Sequence, residues 1–117
     1  MQITWNDTSP IYRQLSEKLR ELILDGVYGN GDALPSVRQI STEHRINPIT
    51  VSKAFQMLVE EGLVEKRRGL GMFVSEGASE VLLESERDAF LTEEVPVFKE
   101  KAARLGFSVQ ELLEAQS

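Results

Sequence analysis

The chain has 117 residues, a length that suits one domain or one small domain with an appendage. Hydrophobic residues make up 41%, enough for a core and too much for a disordered tail, and the absence of cysteine excludes a disulfide framework and a thiolate metal site. The net charge of −6 is unevenly placed: residues 1–75 hold nine Lys/Arg against nine Asp/Glu, whereas residues 76–117 hold four against ten, so the whole excess of acid lies in the tail.

Along the chain, Thr8-Ser9-Pro10 offers a capping residue with proline in the first turn of a helix. Ile11, Leu15, Leu19, Leu22 and Ile23 then recur at helical spacing until Gly26 supplies a stop. The stretch YGNGDALP is rich in turn residues, and Leu34-Pro35 ends it extended. Ser36-Val37-Arg38-Gln39 has the spacing of a capping box, which predicts a short helix from about Val37 to His44 with Arg38 outward. Asn47 caps the next helix and Pro48 occupies its first turn, with Val51, Ala54, Phe55 and Leu58 inward and Gly62 at the end. From Leu63 the period changes to two, so Leu63–Arg67 and Met72–Ser75 read as strands joined by the glycine-rich turn RGLG. The tail reads as helix from about Ser79, with Pro96 expected to kink or interrupt it and Gly106 to stop it. Ser108-Val109-Gln110-Glu111 is a second capping-box pattern, before a last short helix.

Helix, short helix, tight turn, helix and hairpin is the order of a winged helix-turn-helix, here a mainly α fold with a small β wing. In such modules the second helix of the turn unit enters the major groove, led by its N-terminal residues. Thr50 and Ser52 would donate to phosphate or base, Lys53 would supply charge, and the helix N-terminus itself favours anions. Arg38 would fork onto a phosphate or a guanine from the supporting helix, and Arg68 would reach the backbone or minor groove from the wing.

The segments IYRQLSEKLRELILDG, GDALPSVRQIS and NPITVSKAFQMLVEEGLVEKRRGLGMFV follow one another in order. Together they resemble, over residues 10–75 without a gap, the DNA-binding domain of GntR-type bacterial transcriptional regulators. The tail, including FLTEEVPVFKEKAARLGFSVQELLEA, resembles the short-tailed YtrA-type branch. By position, the resemblance implies double-stranded DNA contacts from Ser36, Arg38, Asn47, Thr50, Ser52, Lys53 and the wing residues Arg68, Gly69 and Gly71. Many relatives carry arginine where this chain has Pro48 or Ser52, and a basic residue at the position of Leu70. Those departures bear on which bases are preferred, not on the mode of binding. Kinship further implies repression, often of genes for membrane transporters, and leaves room for a small-molecule effector, for which the tail carries no pocket signature.

The chain therefore divides into a DNA-binding domain at residues 1–75 and a helical segment at 76–117 that serves dimerisation and, if one exists, effector binding. About 40 residues cannot bury their own core without staples or a partner. Phe90, Leu91, Val97 and Phe98 would form a sticky patch in a monomer, so a homodimer is expected. Its two-fold axis would present two recognition helices to a palindromic operator. The acidic tail would be repelled by DNA, which suits a position away from it. An enzyme is not expected, because no set of nucleophile, base and orienting group is present. No cofactor or metal is expected either, with one histidine, His44, and no cysteine. MQITWNDTSP lacks the basic start and apolar run of a signal peptide, and no stretch approaches the roughly 20 apolar residues of a membrane helix, so a cytoplasmic protein without membrane contact is expected. The competing reading is a winged helix used only for protein interaction, which would need no basic patch.

Overall fold

The computed structural model describes residues 1–115. They form α1 (Ile11–Leu24), α2 (Val37–His44), α3 (Pro48–Glu60), β1 (Val64–Arg67), β2 (Gly71–Val74), α4 (Ala78–Ala89), a π turn (Phe90–Glu94), α5 (Val95–Arg104) and α6 (Val109–Ala115). Two compact units result, Met1–Leu82 and the part from Leu83 onward.

The start of α1 differs from the expected cap. Pro10 itself is the N-cap residue, in extended conformation, and no side chain caps the helix. Thr8 instead gives its N–H to Asn6 Oδ1 at 2.9 Å. The link between arm and helix is made by the buried Gln14, which accepts the Asn6 N–H at 3.0 Å and donates to the carbonyls of Asn6 and Ser9 at 2.9 and 2.7 Å. A primary amide has donors and acceptor enough to satisfy three backbone groups at once. Leu15, Leu19 and Ile23 are fully buried, while Ile11 and Leu22 are half-buried at the flanks of the stripe.

The capping box of α2 forms as its spacing predicts: Ser36 Oγ accepts the Gln39 N–H at 3.0 Å, and Gln39 Oε1 accepts the Ser36 N–H at 2.8 Å. α3 begins at Pro48 behind Asn47 and buries Val51, Ala54, Phe55 and Leu58 completely. These residues meet Leu15, Leu19, Ile23 and Ile40 in one hydrophobic core, which Val64 and Val74 extend. Full burial of each large side chain contributes about 1.5–3 kcal/mol. Outside the core, Arg20 of α1 clasps the carboxylate of Glu61, just past α3, through both Nε (2.8 Å) and a terminal nitrogen.

The hairpin pairs Val64 with Val74 and Arg67 with Gly71. It gains a third strip of backbone pairing that the turn-rich link conceals. Gly31 donates to the Val74 carbonyl (2.8 Å), Val74 to Asp32 (2.9 Å) and Leu34 to Met72 (2.8 Å), with Ala33 bridged to Phe73. The first unit continues through Leu82 because Ala78 and Leu82 of α4 belong to this same core.

In the second unit Pro96 does not break the helix. It sits in the first turn of α5, directly after the π turn, in which the Val95 N–H reaches back to the Phe90 carbonyl. A proline inside an α-helix lacks an N–H and collides with the carbonyl four residues earlier; widening by one residue moves that carbonyl aside. Gly106, at φ 81°, then ends α5, and the Phe107 N–H returns to the Ala102 carbonyl at 2.9 Å. Ser108 Oγ accepts the Glu111 N–H at 3.0 Å and so caps α6.

One backbone position in the first unit is out of the ordinary. Arg45, in the turn between α2 and α3, lies in the left-handed region at φ 53° and ψ 48°. That conformation costs a residue with a Cβ about 1–2 kcal/mol. Arg45→Gly is therefore expected to leave stability unchanged or raised. Arg45→Val, whose branched Cβ fits worst there, should lower it by about 1–2 kcal/mol. Urea titration of the two variants beside wild type checks both directions.

Candidate nucleic-acid interface

The tight turn is held by Ser41, whose hydroxyl donates to the Ile46 carbonyl at 2.6 Å while its own carbonyl accepts the Ile46 N–H at 3.1 Å. This bond brings Asn47 to the head of α3. Asn47 Oδ1 accepts the Ile49 N–H at 2.9 Å, and Pro48 has no N–H to satisfy. Thr50 is left with the unpaired backbone N–H of that first turn among the described residues, a single donor aimed along the helix axis. Since Val51, Ala54, Phe55 and Leu58 face the core, Ser52 and Lys53 are turned to solvent and Thr50 lies half-buried beside them.

Ser36 and Asn47 thus both act as caps, which occupies an acceptor oxygen of each. The Ser36 hydroxyl proton and the Asn47 amide protons stay available to a phosphate. Arg38 is exposed on α2 and has no ion-pair or hydrogen-bond partner among the described residues.

Lys53 reaches across to α1, where its ammonium stands 4.0 Å from the centroid of the Tyr12 ring. The Tyr12 hydroxyl is held below its ordinary pKa, first by a hydrogen bond from Arg13 and then by the positive charge of Lys53. Tyr12 and Arg13 therefore join the candidate surface, although neither was singled out from the sequence. No short-range pattern marks them, because the contact joins residues far apart in the chain. Tyr12 orients Lys53 by cation–π attraction, and Arg13 adds a second charge at the same corner.

On the wing, Arg67 is held along the hairpin, with its guanidinium 2.8 Å from Glu65 Oε1 and 4.2 Å from the centre of the Phe73 ring. Arg68 has no such partner among the described residues and stands at the turn itself. The Leu70 N–H closes the turn onto the Arg67 carbonyl at 2.9 Å. Gly69 and Gly71 have φ of 78° and 118°, and a Cβ at either would meet open space. Their requirement is the backbone conformation and not room. No hydrogen bond or ion pair joins Arg68 to the side chains of α2 or α3, so the wing offers a separate point of contact.

Pairing sorts the charges. The acids Glu21, Glu61 and Glu65 take up Lys18, Arg20 and Arg67. Arg13, Arg38, Arg45, Lys53, Lys66 and Arg68 have no carboxylate partner among the described residues. Residues 1–75, of zero net charge, thereby keep a set of uncompensated cations on α1, α2, α3 and the wing.

A family model described as "Bacterial regulatory proteins, gntR family" matches residues 11–74. The chain is 44% identical over 84 residues to the HTH-type transcriptional repressor YtrA of Bacillus subtilis, a match that covers 72% of this chain and 65% of YtrA. It is 29% identical to the uncharacterized HTH-type transcriptional regulator YhcF of the same organism, covering 97% of this chain and 93% of YhcF. Among solved structures it is similar to a GntR family transcriptional regulator from Listeria monocytogenes, with a TM-score of 0.74, 25% identity, and coverage of 94% of this chain and 95% of that one.

Arg38→Ala is expected to weaken binding to a specific site by about 5–150-fold, the range of one charged phosphate or bidentate base contact. Folding should be unchanged, because the side chain is exposed and unpaired. Fluorescence anisotropy with labelled duplex, together with a melting curve, checks both halves of the expectation.

Proposed function

The chain belongs to the gntR family of bacterial regulatory proteins, and from that membership we propose that it is a transcriptional repressor that binds a palindromic operator in double-stranded DNA as a homodimer. The observation that carries the reading is the segregation of charge in the first unit. Lys18, Arg20 and Arg67 are tied to carboxylates, whereas Arg38, Lys53 and Arg68 are among the cations left for another partner. The name of YtrA supports repression as the mode of action. The head of α3, with Thr50, Ser52 and the capping residue Asn47 in view of solvent, supplies the polar tip that a major groove requires.

Salt dependence tests this reading. Three side chains per subunit on phosphates, six in a dimer, imply a log–log slope of roughly −5, from about −0.9 per neutralised phosphate. Lys53→Ala removes one contact per subunit, so its slope should be shallower by about 2 with sequence preference little changed. Affinities for specific and scrambled duplex across a salt series, for both proteins, give the comparison. A flat dependence would turn the reading towards a protein-interaction module.

The homodimer rests on the second unit, where Phe90, Leu91, Val97 and Phe98 are 52, 63, 64 and 47% exposed in the single chain. Apolar surface of that extent, on a segment too short to bury it alone, calls for a partner, and a second copy presents the same patch. Light scattering at micromolar concentration should give a dimer for the full chain and a monomer for a Leu91→Glu, Val97→Glu double variant. Circular dichroism of the variant should stay helical. No helix among the described residues is long and apolar enough to cross a membrane.

A further inference from the structure

The stripe of α3 opposite its core face begins at Ile49 and continues at helical spacing through Ser52, Lys53 and Gln56, all exposed. Ile49 is 77% exposed, more than any other large hydrophobic residue described, and it stands in the first turn of the helix. An isoleucine held in water forgoes hydrophobic stabilisation, so its position at the tip of a polar surface asks for an apolar partner. Its backbone N–H is already given to Asn47 Oδ1 at 2.9 Å, which leaves the aliphatic side chain as what Ile49 offers a ligand. The neighbouring exposed positions Pro48 and Ser52 carry no guanidinium, ammonium or carboxamide. The Asn47 carboxamide has its oxygen committed to the Ile49 N–H, so it lacks the free donor–acceptor pair that grips an adenine edge. Lys53 lies over Tyr12.

Resting on the reading of α3 as the helix that enters the major groove, we propose that Ile49 is a specificity-determining residue that reads thymine through its C5-methyl group. That methyl is the apolar feature that the four base pairs display in the major groove, and a side chain of carbon alone can recognise little else there. Selection of thymine at one position of each half-site then comes from dispersion and water release, without a hydrogen bond. Recognition of this kind adds no charge, so it acts independently of the phosphate contacts of Arg38 and Lys53.

In the experiment, the full-length protein selects its site from random duplexes, and each thymine of the selected half-site is replaced in turn by deoxyuridine, which lacks only the methyl. One such replacement should weaken wild-type binding by about fourfold per methyl, the value of one buried carbon group. Ile49→Ala should bind the thymine site more weakly and lose the difference between thymine and deoxyuridine at that position. Its melting temperature and salt slope should match wild type, because the side chain is neither buried nor charged. A variant that still distinguishes the two bases, or a wild type indifferent to every methyl, overturns the role of Ile49 while leaving DNA binding intact. Failure of the wild type to select any site overturns the DNA-binding reading itself, and the role of Ile49 with it.

Discussion

The rotational setting of α3 is the constraint from which the rest of the first unit follows. Val51, Ala54, Phe55 and Leu58 have no exposure, and all four must face Leu15, Leu19, Ile23 and Ile40 together. A turn of the helix about its axis would expose a phenylalanine or bury a lysine, and interiors packed to crystal density tolerate neither. With that face pinned, Ile49, Ser52, Lys53 and Gln56 have no direction left but outward. The candidate site is therefore the complement of the core: hydrophobic residues choose which polar ones are offered. The Arg20–Glu61 clasp at the far end of α3 acts in the same sense, because it ties the exit of α3 to α1.

An acidic chain presents a basic surface here by local accounting of charge. Coulomb attraction between exposed groups is short-ranged at physiological salt, with a Debye length of about 8 Å, so a phosphate responds to the cations beside it and not to the sum over the chain. What matters is which cations are neutralised nearby. Lys18, Arg20 and Arg67 are, and Arg38, Arg45, Lys53 and Arg68 are not. Tyr12 adds a constraint without neutralising charge: a ring face holds Lys53 in place and leaves its ammonium positive.

The second unit follows a different logic. Its helices present Phe90, Leu91, Val97, Phe98 and Leu105 to solvent, and among its described residues Ala102 alone is buried. The π turn contributes to this surface. By absorbing one extra residue ahead of Pro96, it keeps the helix continuous and rotates everything after it relative to an uninterrupted α-helix. Val97 and Phe98, which follow it, take their facing from that shift. The groove that Phe90 and Phe98 line with Val95 and Val97 is bordered by Glu93 and Glu94.

The residue pattern alone determined the helices of the first unit, the capping box of α2, the start of α3 at Asn47-Pro48, the hairpin and the inward stripe of each helix. These are consequences of interactions spanning a few residues, where spacing and side-chain type decide the outcome. They carried the family resemblance as well. Tertiary structure decided what joins distant parts of the chain. The placing of Lys53 over Tyr12, the strapping of the arm by Gln14 in place of a Thr8 or Ser9 cap, and the pairing of residues 31–34 with β2 all depend on it. It also decided how Pro96 would be accommodated, since a kink, a break and a π turn relieve the same missing N–H. No local signal ranks those choices, because the free energy that separates them comes from partners which folding alone brings within reach.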